Sequence, residues 1–204
     1  MLLAAQEDPE LQQILENAAL VTPESSGILW ASKALGAPLQ EFTPGIDLML
    51  SVCRVAEIDE RTVFLLGSEP GVAEAASKAL QRQFPRLRIA GTEQGYFKAS
   101  EEFKVISLIR SVSPDLLFVG MGMPAQEKWI AKHLLELRVS VVMGVGGSFD
   151  VLSGKLMRAP APMRRLGIEW VYRLAQEPWR WRRISQLPMF VIKVLKQKWS
   201  QRVV

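Results

Sequence analysis

Asp115-Leu-Leu-Phe-Val119 runs into Gly120-Met-Gly122-Met-Pro124 and on into Ala125-Gln126-Glu-Lys-Trp129. The first run is short, apolar and non-alternating, as in a strand buried on both faces. Glycines end it. Pro124 suits a first helical position and opens helical spacing over 124–136. Three more runs share the form: Thr62-Val-Phe-Leu-Leu66, Leu87-Arg-Ile-Ala90 and Val139-Ser-Val-Val-Met143, followed by Gly67, Gly91 and Gly144. Residues 70–83 and 100–112 carry helical spacing between them. Strand alternating with helix predicts an α/β fold, Rossmann-like and doubly wound, with a mainly parallel sheet and helices on both faces. Upstream, Asp8-Pro9 offers an N-cap and a first-turn proline, Ala19-Leu-Val-Thr22 reads as a short strand, and Gly27–Leu35 and Ile46–Val55 read as helices.

In such sheets ligands bind beyond the carboxyl ends of the strands. That directs attention to the loops after the runs. Gly120 and Gly122 precede a helix N-terminus, which favours a phosphate, and Gln126 falls in its first turn facing the crevice. A tight turn with a solvated Gln is the equal alternative; the G-x-G-x-x-G fingerprint is absent. In Gly144-Val-Gly146-Gly147-Ser-Phe-Asp150 the glycines exceed what a turn needs and point to close ligand approach. Asp150 there either holds a sugar or ribose hydroxyl or pairs with a tail arginine. Gly67-Ser-Glu-Pro-Gly71 is a third candidate, or plain N-capping by Ser68. Glu24, before a helix, is placed to take a proton from a hydroxyl. Read alone, it is a surface carboxylate at a helix N-terminus. Trp129 reads as core. Cys53 reads as a small buried hydrophobe, and as the single cysteine it excludes an internal disulfide. His133, near a helix end, is expected to be solvated or capping. No metal-ligand constellation is visible: Glu57, Asp59 and Glu60 precede a strand, at the wrong end of the sheet.

Charge divides the chain. Residues 1–154 carry 13 Lys+Arg against 19 Asp+Glu, a net of −6, and residues 155–204 carry 12 against 2, a net of +10. Four of the six tryptophans lie in that second stretch. We therefore expect an α/β domain over 1–154 and a basic, helical, Trp/Arg-rich appendage over 155–204. Arg and Trp interleaved with apolar residues suit a membrane surface or a nucleic acid. The acidic body and glycine loops do not suit nucleic acid. No run of about 18 apolar residues is present, as a membrane span would need, and Met1-Leu-Leu-Ala-Ala lacks the basic start of a signal peptide.

These loops and this tail, in this order, resemble the WecG/TagA/CpsF glycosyltransferase family. The similarity runs from about Asp8 to Arg183. It is carried by Gly45-Ile-Asp-Leu-Met49, Val63-Phe-Leu-Leu-Gly67, Gly95-Tyr-Phe97, Gly122-x-Pro124-x-Gln126, Gly144 through Gly154, Arg158-Ala-Pro and Gly167-x-Glu-Trp-x-Tyr-Arg173. The resemblance implies inverting, metal-independent transfer, without a cofactor, of an N-acetylmannosamine-like hexosyl group from a UDP-sugar to a polyprenyl-diphosphate-linked sugar in cell-surface polysaccharide synthesis. Together with the loop reading it leads us to expect donor contacts at Gly67, Gly120, Gly122, Gln126, Gly144, Gly146, Gly147 and Asp150, and Glu24 as base. It implies an appendage that closes over the site with arginines, and the need for positive charge at a diphosphate makes Arg173, Arg180, Arg182 and Arg183 the expected contacts. A protein peripheral to the cytoplasmic face of the membrane, meeting its anionic surface, follows, with homo-oligomerisation left open. Where the family usually has Pro-Asp-Gly this chain has Pro23-Glu24-Ser25, and Phe42 stands where an Arg is common. The family's upstream strands, with a donor-lining Thr-x-Asn, are expected to be missing from the α/β domain. A nucleotide-sugar-binding or regulatory member without turnover is the alternative.

Overall fold

The computed structural model describes residues 1–200, apart from the side chains of Arg165 and Arg183. In chain order its elements are α1 (Leu2–Ala5), α2 (Pro9–Asn17), α3 (Ser26–Ala34), α4 (Gly45–Ile58), β1 (Thr62–Gly67), α5 (Val72–Gln83), β2 (Arg88–Glu93), α6 (Glu102–Val112), β3 (Leu116–Gly120), α7 (Ala125–Leu137), β4 (Val141–Gly144), α8 (Ser148–Leu152), α9 (Ala161–Arg165), α10 (Glu169–Gln176), α11 (Trp181–Ile184) and α12 (Leu187–Ser200). They divide into two compact units. One comprises Met1–Ala19 and Gly45–Met157; the other comprises Leu20–Pro44 and the residues from Arg158 onward. The stretch 20–44, which the sequence pattern groups with the α/β body, thus clusters with the basic tail.

The first unit is an α/β layer. Its sheet is parallel throughout, in the order β2-β1-β3-β4. Alternation along the strands divides the core. Val63, Leu65 and Phe118 face Met49 and Cys53 of α4, Ala76 and Leu80 of α5 and Phe149 of α8. Phe64, Leu66, Leu117 and Val119 face Val105, Ile106 and Ile109 of α6 and Trp129 and Leu137 of α7. Helices on both faces make the fold doubly wound, with the order reversing between β1 and β3. Cys53 is fully buried and its thiol pKa is pushed up to about 12 by desolvation, so it is an inert core residue. Asp8 caps α2 by accepting from the Leu11 amide at 3.1 Å, with Pro9 in the first turn.

Three expectations need correction. Residues 19–22 form no strand, and Leu20 and Val21 are exposed. The proline at 23 has no N–H for a ladder and the segment has no strand partner, so β propensity alone does not hold it. β2 and β4 are not buried on both faces: they are the sheet edges, and Val141 is 49% exposed. Finally, β2 begins at Arg88 and β4 at Val141, each slightly later than the apolar runs suggest.

At the amino ends of the strands Asp115 ties β1 to β3. Its Oδ2 accepts from the amide and the hydroxyl of Thr62, both at 2.8 Å, and its Oδ1 from Arg61 at 3.2 Å. The Thr62 amide bond, then its hydroxyl and Arg61, hold the Asp115 carboxyl below its ordinary value. A depressed carboxyl contributes stability that is complete above its unfolded value, about 3.9, and is lost as pH falls through the folded one. Urea unfolding of Asp115→Asn should therefore show lower stability at neutral pH and a shallower acid decline than wild type.

Candidate active site

The loops after the strands gather at the carboxyl edge of the first unit. Gly67 closes β1 at φ +143°, a conformation that side chains rarely adopt, and a Cβ there would lie 2.5 Å from the Gly120 backbone. The two strand ends can approach for that reason, and the Ser68 amide donates to the Gly120 carbonyl at 2.8 Å. Gly95, from the loop after β2, folds over them, its amide donating to the Ser68 carbonyl at 2.9 Å. Ser68 does not cap α5: Gly71 is the N-cap, and Ser68 is buried at φ +57°. Gly120 is packed under the Gly146 carbonyl and the Phe149 ring. Gly122 and Gly146 have left-handed backbones with open space above them, and Gly147 is the N-cap of α8.

Gln126 holds this edge together. It is 5% exposed rather than solvated. Its Oε1 accepts from the Gly122 amide at 3.2 Å and the Gly146 amide at 3.0 Å, and its Nε2 donates to Glu127 Oε1 at 2.8 Å. Gly144 makes room for it, since a Cβ there would stand 2.7 Å from Nε2. One amide group thus fixes the loops after β3 and β4 relative to each other. Pro124 is the N-cap of α7 rather than its first residue, which sets Gln126 at the second helical position. Gln126→Leu keeps the bulk and strands two backbone donors, each costing about 1–3 kcal/mol when buried unpaired. Chemical denaturation should show a loss of about 2 kcal/mol for these partly buried groups.

Beside the glycine edge, Asp150 Oδ1 stands 3.8 Å from the Lys155 ammonium, which also pairs with Glu69 Oε1 at 2.7 Å. Neither Glu69 nor Lys155 stood out in the sequence, because their meeting depends on two loops converging. Trp129 packs in the core as expected. His133 is not solvated: it is 7% exposed, with Nε2 3.0 Å from Glu102 Oε1, Nδ1 3.4 Å from Glu136 Oε2 and the Trp129 ring at 5.2 Å. Glu102 on α6 draws it inward. Among the described residues no group of three or more His, Cys, Asp or Glu is arranged to hold a metal ion.

The second unit carries the remaining candidates. Glu24 is exposed just before α3, on a segment pinned by the Thr43 amide donating to the Pro23 carbonyl at 2.8 Å. The start of α3 is seated against the tail: Ser26 Oγ donates to the Gly167 carbonyl at 3.1 Å, and a Cβ on Gly167 would meet Ser26 at 2.6 Å. Arg173 and Arg180 converge on one atom, Glu177 Oε2, with their Nε atoms 2.9 and 2.7 Å away. Glu177 was not singled out in the sequence, although its i, i+4 and i, i+3 spacing to the arginines carries the signal. Arg182 is exposed on α11; Arg183 is in the same helix and its side chain lies outside the described residues.

A parallel doubly wound sheet with its glycine loops at the carboxyl edge defines an α/β protein of the Rossmann-like class. The chain belongs to the WecG/TagA/CpsF glycosyl transferase family, whose model matches residues 1–204. It is similar to an N-acetylglucosaminyldiphosphoundecaprenol N-acetyl-beta-D-mannosaminyltransferase of Staphylococcus aureus (strain MW2), 38% identical over 91% of this chain and 72% of the relative. It is also similar to the protein of that name from Bacillus spizizenii, 37% identical over 95% of this chain and 75% of the relative. The chain is accordingly a glycosyltransferase.

Proposed function

We propose that the protein moves an N-acetylmannosamine-like group from a UDP-sugar to a polyprenyl-diphosphate-linked sugar in cell-surface polysaccharide synthesis. The 38% identity to a mannosaminyltransferase over 91% of the chain carries the reading. The acceptor hydroxyl oxygen attacks the anomeric carbon of the donor, and the carbon–oxygen bond to the diphosphate breaks. UDP leaves with the electron pair, and Glu24 takes the acceptor proton. Attack opposite the leaving group inverts the anomeric centre. The glycine edge of the first unit binds the donor. A helix end gives an anion about 0.3–1 kcal/mol, too little for a leaving diphosphate, so further cations are required. Arg173 and Arg180, gathered on Glu177, supply that charge together with Arg182 and Arg183, without a metal.

Among the described residues no helix is long and apolar enough to cross a membrane. The exposed tryptophans at 170, 179, 181 and 199 and the basic tail support peripheral attachment to the cytoplasmic leaflet. The test is incubation with UDP-N-acetylmannosamine and lipid-diphosphate-linked N-acetylglucosamine in vesicles, with a chelator present. A disaccharide-lipid of inverted linkage is the expected product. Donor binding with no transfer would favour the non-catalytic alternative, and a strict need for added divalent metal would overturn the arginine assignment.

A further inference from the structure

β4 ends the sheet with an open edge. The Val141 amide donates to the Asp115 carbonyl at 3.2 Å and the Val145 amide to the Val119 carbonyl at 2.8 Å. Successive residues of a strand turn their N–H and C=O groups to opposite edges, so those of Val142 and Gly144 point away from β3. No further strand of the described residues takes them up. β2, at the other edge, has a register irregularity against β1, begins with Arg88 and ends with Glu93; such devices discourage pairing. β4 carries neither a bulge nor a charge: no charged residue occurs from Val139 to Phe149. Its flank is apolar as well. A groove of about 450 Å³ opens between α4 and the starts of β3 and β4, lined by Val52, Val55, Ala56, Leu116 and Val141. Val55 and Ile58, one turn apart on α4, are 56% and 65% exposed. The charged residues of the lining, Arg61 and Asp115, pair with each other at 3.2 Å, so the groove repels neither sign of charge.

These features fit a second copy of the chain. An antiparallel pairing centred on Val142 is its own complement: the amide and carbonyl of Val142 meet those of Val142 in the other copy, and Ser140 meets Gly144. Val141 then stands opposite Met143. The exposed Arg138 stands level with Gly146, in an uncharged loop, and no cation faces a cation. The two-fold axis is normal to the sheet, which puts both α4 helices on one face and turns the two grooves toward each other. A strand of four residues is too short a ladder to reach the roughly 1,600 Å² of a stable interface, so the apolar groove has to supply the rest. With one open edge per copy the assembly closes at two. We propose that β4 and α4 join two copies of the chain into a two-fold dimer with a continuous sheet.

The test is sedimentation equilibrium of the intact protein over a concentration series, for wild type, Val141→Lys, Ser140→Pro and the α12 variant Ile192→Ser with Trp199→Ala. Wild type is expected as a reversible dimer. Val141→Lys brings uncompensated charge to the facing grooves, and Ser140→Pro removes one ladder donor per copy. Both residues are exposed, so the fold tolerates the changes, which an unaltered far-UV spectrum checks. Each substitution should raise the dimer dissociation constant by about ten-fold or more. Hydrogen exchange at the Val142 amide should slow as wild type is concentrated, and not in Val141→Lys. The α12 variant should dimerise as wild type does, which separates edge pairing from association through the apolar tail. A wild type still monomeric at about 100 μM, too weak an association to be specific, overturns the proposal. So do a dimer that survives both edge substitutions, a Val142 amide indifferent to concentration, a dimer lost in the α12 variant, and assemblies that grow beyond two.

Discussion

Glu24→Ala should lower the rate of sugar transfer by about 10²–10⁴-fold and leave UDP affinity unchanged, the range expected for loss of a general base. Glu24 is exposed on a segment held between the Thr43–Pro23 hydrogen bond and the start of α3. Its backbone is therefore held in place while the residue stays exposed. A residue that acts on the acceptor proton affects kcat, whereas one that only binds donor affects the apparent affinity for UDP. The family's usual residue at this place is Asp, one methylene shorter. Glu24→Asp should accordingly recover most of the rate lost in Glu24→Ala, because the group is kept and the oxygen moves by about one bond length. Wild-type kcat in Glu24→Ala, checked by product release from radiolabelled donor, would remove the base assignment. A matching fall in UDP affinity would turn Glu24 into a binding residue.

The α/β layer was legible because burial on both faces leaves a local signature: Leu65, Leu66, Leu117 and Phe118 are fully buried in central strands and form unbroken apolar runs. The same signature misplaces β4. Val141 and Val142 read as interior, yet the strand pairs with β3 alone, and strand order is a long-range property that no local run encodes. The glycines marked the right edge of the sheet and only part of the reason for their being glycine. Gly67, Gly120 and Gly144 make room for other parts of the protein, namely the Gly120 backbone, Phe149 and Gln126. Gln126 was noticed through its place in a first turn, but its two-amide clamp depends on Gly146, twenty residues on. His133 shows the same limit. A helical His with acidic neighbours in sequence gives no sign that Glu102, on another helix, will enclose it. Pairings within a turn or two, such as Arg173–Glu177–Arg180, were open to prediction; pairings between loops were not.

Lys196→Gln combined with Lys198→Gln should weaken binding to anionic vesicles by about thirty-fold. Each lysine near such a surface contributes about 1 kcal/mol, so two contribute about 2 kcal/mol. The second unit explains why α12 is the element to test. Val194 is buried, Phe190 reaches to within 4.0 Å of a Cβ position on Gly27, and α12 packs on α3. One side of α12 is thereby occupied. Met189, Ile192, Leu195 and Trp199, at helical spacings of three and four, remain exposed on another. An apolar stripe with Lys196 on it and Lys198 beside it matches the interface of a leaflet, with the ring of Trp199 at headgroup depth and the long lysine side chains reaching to the phosphates. Adding Ile192→Ser and Trp199→Ala should deepen the loss to about 10³-fold, from apolar area no longer removed from water. Salt separates the two contributions. Screening shortens the reach of the lysines but leaves the apolar stripe intact, so the deficit of the lysine variant should shrink at high salt while the further loss caused by Ile192→Ser and Trp199→Ala persists. Vesicle co-sedimentation across a salt series measures both. Equal binding by wild type and the quadruple variant would mean that α12 is not the attachment surface and that the exposed tryptophans of the α10–α11 region have to account for it instead.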